Sequence, residues 1–196
     1  MRPFLIITAA VVTVGAAAFA LTYRSTVGGE VQAAEAPAEA GSFYALETRT
    51  LEGEPASLSD YEGRVALIVN VASKCGLTPQ YEGLEALHRE FSDRGFAVLG
   101  FPSNDFMNQE PGSPSEIRAF CSDTYGVTFP MFEKVAVKGE AKSPVYEHLT
   151  RELEEPTWNF TKYLVDRSGT VLYRFPPQTA PDDEDLRAKI EAALAS

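Results

Sequence analysis

Val65-Ala-Leu-Ile-Val-Asn-Val-Ala-Ser-Lys-Cys-Gly-Leu-Thr-Pro-Gln80 is the stretch on which the fold turns. Val65 to Val71 is a nearly unbroken apolar run rich in β-branched residues, which predicts a strand buried on both faces. The run ends in Ser73-Lys74-Cys75-Gly76, a turn, and a helical pattern begins after Pro79. Proline costs little there, because the first N–H groups of a helix have no intrahelical partner. Cys75 therefore falls where a core strand delivers the chain to a helix N-terminus. The partial positive charge of that helix end, with Lys74 beside it, favours a thiolate over a thiol. Position alone leaves two readings of Cys75: a reactive nucleophile, or a small buried hydrophobe at the end of an apolar strand.

Downstream, Tyr81, Leu84, Leu87, His88 and Phe91 fall at helical spacing, and Gly95 supplies a stop. Phe96 to Phe101 is a second apolar strand, so the two strands and the helix form a βαβ unit with parallel strands. Pro102 to Ser115 is a polar loop, and Glu116 to Tyr125 a short helix carrying Cys121. Val127 to Phe132 is extended, with Pro130 a candidate for a cis bond. A helix from Ser143-Pro144 to Arg151 follows. Asn159 to Val165 and Thr170 to Phe175 then form a hairpin around Asp166 to Gly169. Pro181 and four acidic residues open a last helix with Leu186, Ile190 and Leu194 as its inner stripe. Upstream of the central strand, Phe43 to Leu46 and Ala56 to Leu58 flank Glu52 to Pro55 as an N-terminal β-hairpin. This order predicts an α/β, thioredoxin-like fold: a central mixed β-sheet flanked by helices, with an N-terminal β-hairpin. Cys75 then lies at the carboxyl end of a sheet strand, where ligands bind in such folds.

Composition bounds the function. Of 196 residues 44% are hydrophobic, enough for one well-packed domain, which we assign to residues 42–196. The formal net charge of -11 and the lack of any basic block argue against nucleic acid as a partner. No Cys or His pair stands at ligand spacing, so no metal site is expected. His88 and His148 lie in helical patterns and read as surface or boundary residues. Residues 1–24 read as a leader: Arg2, the apolar run Phe4 to Leu21, and a small-x-small site at Ala18-Phe19-Ala20. The run fits a cleaved signal peptide and is just long enough for an uncleaved anchor. Residues 25–41 read as a flexible linker. The domain is therefore expected to be exported, periplasmic or extracytoplasmic, with a possible membrane tether through residues 4–21.

Four segments, in order across residues 42–196, resemble the glutathione peroxidase family. They are Asn70-Val-Ala-Ser-Lys-Cys-Gly-Leu-Thr78, Phe101-Pro-Ser-Asn-Asp-Phe-Met-Asn-Gln-Glu-Pro-Gly112, Val127-Thr-Phe-Pro130 and Trp158-Asn-Phe-Thr-Lys-Tyr-Leu-Val165. The resemblance implies a thiol peroxidase, with Cys75 as the peroxidatic residue and Gln109, Trp158 and Asn159 as its catalytic partners. Their N–H groups can hydrogen-bond a thiolate and stabilise the oxygen leaving a peroxide. By the same resemblance Cys121 is the resolving cysteine, forming a disulfide with Cys75 that thioredoxin-like reductants reduce in preference to glutathione. No cofactor is implied. The short segment between Phe132 and Trp158 is similar to that of monomeric members, which accept lipid hydroperoxides as well as hydrogen peroxide. Two positions depart from the family: Ser103 stands where Cys is frequent, and Asp105 where Gln is frequent; Asp105 is expected to point away from the thiol. Thr78, where a Cys-x-x-Cys pair would have its second thiol, argues against a thiol–disulfide oxidoreductase. A peroxide sensor using Cys75 and Cys121 is the alternative from another class.

Overall fold

The computed structural model describes residues 31–33 and 41–196. The leader and most of the linker lie outside the described residues. The elements run β1 (Gln32–Ala33), β2 (Glu47–Arg49), β3 (Pro55–Ser57), β4 (Val65–Val71), α1 (Gln80–Phe91), β5 (Phe96–Pro102), α2 (Pro114–Tyr125), α3 (Pro144–Leu149), β6 (Lys162–Val165), β7 (Val171–Phe175) and α4 (Glu184–Ala195). Five strands form one mixed sheet in the order β1-β7-β6-β4-β5, and β2 and β3 form a separate hairpin. β4 and β5 are parallel, Val65 opposite Phe96 and Val71 opposite Pro102. β6 lies antiparallel on the other side of β4, with Lys162 opposite Val69.

The apolar run of β4 is explained by two cores, one on each face. Side chains alternate across a strand, so Val65, Leu67, Val69 and Val71 meet α1, α2 and α4 through Leu84, Leu87, Ile117, Leu186 and Ile190. Ala66 and Ile68 meet α3 and the N-terminal segment through Phe43, Tyr44, Tyr146 and Leu149. Every residue of β4 and β5 is buried. The thioredoxin-like order holds, and the central strand ends at Cys75 with both cores closed beneath it.

Several boundaries differ from the sequence reading, each for a local reason. Phe43–Ala45 is a 3-10 turn and not the first hairpin strand, which is β2 instead. Phe43 and Tyr44 are adjacent and both buried in one core; a strand would send them to opposite faces. Pro130 is trans, since no cis peptide bond occurs among the described residues; its carbonyl accepts from Gly100 N–H at 2.9 Å, which holds the segment extended beside β5. α2 starts two residues early because Ser113 and Glu116 form a reciprocal capping box around Pro114. α3 stops at Leu149, where Thr150 Oγ1 turns back onto the Tyr146 carbonyl. Ala193, not Leu194, completes the buried stripe of α4. Within the stretch read as linker, Gln32 and Ala33 pair with Arg174 and Tyr173 and cover the edge of β7.

Candidate active site

After β4 the chain makes consecutive tight turns before α1. Thr78 N–H donates to the Cys75 carbonyl, Gln80 N–H to Leu77 and Tyr81 N–H to Thr78. Thr78 closes the turn with its side chain as well: Oγ1 accepts from Cys75 N–H at 3.0 Å and donates to the Ala72 carbonyl at 2.8 Å. Cys75 Sγ accepts from Leu77 N–H at 3.4 Å, and the residue is 9% exposed. The thiol thus sits under a backbone N–H of the turn that leads into the helix, with a narrow opening to solvent.

Gln109 is brought to this turn by its own backbone, whose carbonyl accepts from Lys74 N–H at 3.0 Å. Its loop folds tightly enough to put Met107 and Asn108 at positive φ (52° and 54°). Asn159 Nδ2 donates to Gln109 Oε1 at 2.9 Å. That bond assigns the ends of the Gln109 amide: the carbonyl oxygen is engaged by Asn159, and the NH2 group is left to act elsewhere. The Trp158–Asn159 turn is fixed in turn by Asn70, buried at the end of β4. Asn70 Nδ2 donates to the Trp158 carbonyl at 3.0 Å, and Phe160 N–H donates to the Asn70 carbonyl at 2.6 Å. Phe160 takes φ 68° there, and β6 begins only at Lys162, later than the sequence indicated. Trp158 is half-buried, packs against both cores and lies 5.5 Å from the Phe106 ring.

The structure therefore gathers Cys75, Gln109, Trp158 and Asn159 through one chain of backbone and amide contacts. Among the described residues, neither side-chain amide nor the Trp158 indole forms a hydrogen bond to Cys75 Sγ; Leu77 N–H does. Asp105 is taken up elsewhere, accepting from Val137 N–H at 2.7 Å. Burial lowers the proton affinity of both His88 and His148, and His88 Nδ1 accepts from Val98 N–H. No group of metal-ligating side chains occurs among the described residues.

Cys121 stands apart, 1% exposed on α2, and both cysteines are free thiols. Burial pushes the Cys121 thiol up; the Tyr81 hydroxyl beside it opposes that, and the charge of Glu110 adds to it. Three contributors escaped the sequence reading. Asn70 is the single polar residue in an apolar strand, which was its signal. Thr78 stands in the first family-like segment and in sequence shows only the lack of a Cys-x-x-Cys pair, not its closure of the turn. Glu110 carried no signal, lying in a loop rich in polar residues.

The family model described as glutathione peroxidase matches residues 43–150. The chain is 48% identical over 164 residues to the hydroperoxy fatty acid reductase gpx1 of Synechocystis sp., covering 78% of this chain and 96% of that protein. It is 44% identical over 179 residues to the thioredoxin/glutathione peroxidase BtuE of Escherichia coli, covering 79% of this chain and 98% of that one. Among solved structures, Trgpx in apo form superposes with a TM-score of 0.65 at 34% identity, over 80% of this chain and 98% of the other.

Proposed function

This chain belongs to the glutathione peroxidase family, and from that premise we propose that it reduces hydrogen peroxide and organic or lipid hydroperoxides through a two-cysteine cycle. It is a peroxidase, an oxidoreductase with peroxide as acceptor. Cys75 thiolate attacks one peroxide oxygen, the O–O bond breaks, and the other oxygen leaves as water or alcohol after taking a proton. Cys75 is then a sulfenic acid. Cys121 thiol attacks that sulfur, water leaves, and a Cys75–Cys121 disulfide remains. A dithiol reductant of the thioredoxin kind, or two molecules of glutathione, returns both thiols.

The observation that carries this reading is the contact chain from Lys74 N–H through the Gln109 backbone and the Gln109 amide to Asn159. It ties the Gln109 and Asn159 amides to the residue before Cys75, which supports their acting as donors that need no titration. Donors fixed in advance cost no reorganisation when charge develops on the departing oxygen. The two reductants draw on the name of the Escherichia coli relative, the dithiol route on Cys121, and the lipid substrates on the name of the Synechocystis relative. The leader read over residues 1–24 supports work outside the cytoplasm, and the short Phe132–Trp158 segment supports a monomer.

Steady-state peroxide consumption with thioredoxin and its reductase, or with glutathione, tests the cycle in wild type, Cys75→Ser and Cys121→Ser. Thioredoxin-dependent turnover that disappears in both variants is the expected result. Glutathione-supported turnover surviving Cys121→Ser makes Cys121 structural. Absence of turnover in the wild type moves the reading to a peroxide sensor.

A further inference from the structure

Glu110 is fully buried, and one of its carboxylate oxygens has no hydrogen-bond partner. The other accepts from Ser73 Oγ at 3.1 Å, two residues before Cys75. Burial of such a group without full compensation is costly, and it persists where something else requires it. Its position gives a reason. Glu110 lines a cleft whose near wall is Ser73 and Lys74, and whose far wall is Glu116, Ile117 and Phe120 of α2. Cys121 follows Phe120 directly and Cys75 follows Lys74 directly, so chain neighbours of both cysteines line the cleft that Glu110 lines.

We propose that Glu110 is the proton carrier of the resolving step. Resting on the two-cysteine cycle above, the assignment deepens that reading. The Glu110 carboxylate takes the proton from the Cys121 thiol, and the thiolate attacks the Cys75 sulfenic sulfur. The S–O bond breaks as S–S forms, and the proton passes from Glu110 to the departing hydroxide, leaving water and an ionised Glu110. The Cys121 sulfur's electron pair becomes the shared S–S bond and the S–O pair leaves with the hydroxide. The thiol sulfur is thus oxidised by one level, the sulfenic sulfur is reduced by one, and both end at the disulfide level.

The surroundings suit a group that exchanges its proton. Burial raises Glu110 above the ordinary carboxylate range, while the Ser73 hydrogen bonds and the charges of Lys134 and Lys74 pull it back. Lys134 Nζ does not neutralise the carboxylate directly; it donates to the backbone carbonyls of Glu110 and Gly112, at 3.0 and 2.8 Å, and fixes the loop. From α1 and α2 the facing titratable groups are Tyr81, Cys121 and Glu116, and Glu110's charge raises both Tyr81 and Cys121.

That last effect gives the test a sign. If Glu110 acted by charge alone, Glu110→Gln would ease ionisation of Cys121 and speed disulfide formation. As a proton carrier its loss slows the step, by about 10²-fold or more for general acid–base catalysis. The full chain is pulsed with hydrogen peroxide in the absence of reductant. Cys75 sulfenic acid is trapped with a dimedone-type probe and the Cys75–Cys121 disulfide followed by mass. The expected result is accumulation of sulfenic acid in Glu110→Gln, with disulfide formation slowed about 10²-fold or more. Disulfide formation as fast as or faster than wild type overturns the assignment, as does an equal slowing of sulfenic acid formation, which is loop support and nothing more. Ser73→Ala, which keeps the carboxyl, should move the pH midpoint of the resolving step upward, because a hydrogen bond that favours ionised Glu110 is gone; an unmoved midpoint also overturns it. A wild type that forms sulfenic acid but no intramolecular disulfide is a failure of the two-cysteine cycle itself and removes this inference with it.

Discussion

At the residue scale the site works by fixing amides, and its consequences can be measured one side chain at a time. Asn159→Ala removes both a donor and the bond that holds the Gln109 carbonyl. It should therefore lower the rate of Cys75 oxidation by about 10²–10³-fold, the cost of losing one preorganised donor, and more than Gln109→Ala if both amides act. Stopped-flow oxidation followed by Trp158 fluorescence checks this, since Trp158 is the chain's one tryptophan. Lys162 makes a different prediction. It is fully buried, and its Nζ donates to Gln80 Oε1 at 2.5 Å, the Thr179 carbonyl at 2.6 Å and the Pro177 carbonyl at 3.3 Å. Burial pushes it down to about 7, with Asp183 pulling the other way. Between about 7 and 10.5 the unfolded chain holds a proton that the folded chain has released, so this group's contribution to stability rises with pH across that window. Lys162→Met should flatten that rise, by up to about 2–3 kcal/mol between pH 7 and 9; denaturant midpoints at the two pH values decide, and equal slopes in both proteins refute it. The reactive-cysteine reading of Cys75 rested on a strand, a turn and a helix start, a local pattern that sequence displays. Lys162 and Glu110 act across chain distances that no local pattern encodes.

At the scale of elements α2 is the most thinly attached of the three twelve-residue helices. Its ends are well capped, by the Ser113–Glu116 box and by Gly126 in the left-handed region at φ 60°. Its middle is thinly attached, burying only Ile117 and Cys121, whereas β4 and β5 bury every residue. Stability of a helix in a protein comes mainly from packing of a buried face, so α2 should open well below the free energy of global unfolding. Hydrogen exchange should be faster at amides 118–125 than in β4, and equal protection would remove the basis for a resolving Cys121. Ser113→Ala should destabilise α2 by about 1 kcal/mol and speed disulfide formation several-fold if opening limits it; slower formation would show that the capped helix is the reactive form. Gly100 marks the opposite extreme. A Cβ there would come within 2.5 Å of Met131 Sδ and 3.1 Å of a Phe129 ring carbon, so Gly100→Ala should cost about 1–3 kcal/mol, read as a lowered thermal midpoint with site chemistry intact. Strand and helix identities were legible because hydrophobic period and turn residues are local. The Phe43–Ala45 turn was not, because its two aromatics are drawn to the same core by α3 and β6, elements more than a hundred residues later.

At the scale of the whole molecule, the sheet's alternating directions decide which end the N-terminus shares. β4 runs toward Cys75, and β6, antiparallel to it, begins with Lys162 opposite Val69. β7 returns, with Phe175 opposite Lys162 at the same end. β1 pairs Gln32 with Arg174 and Ala33 with Tyr173, so the chain enters the sheet from the end that carries the active site. Glu154 N–H, four residues before Trp158, donates to Gln32 Oε1 and fixes that entrance. The residues between Leu21 and Val31, about ten, span at most about 35 Å when fully extended. On the proposed reading of residues 1–24 as a retained anchor, the domain stays within that reach of the bilayer, and the effective concentration of lipid hydroperoxides rises without any new contact. Full-length protein in phospholipid vesicles is compared with a form starting at Ser25. Hydrogen peroxide turnover should be alike in both, while turnover of vesicle-embedded phospholipid hydroperoxide should fall about tenfold or more on removing the leader. Equal turnover of the embedded substrate by the two forms would reduce residues 1–24 to an export address, and a mature N-terminus beyond Ala20, read by mass, would say the same.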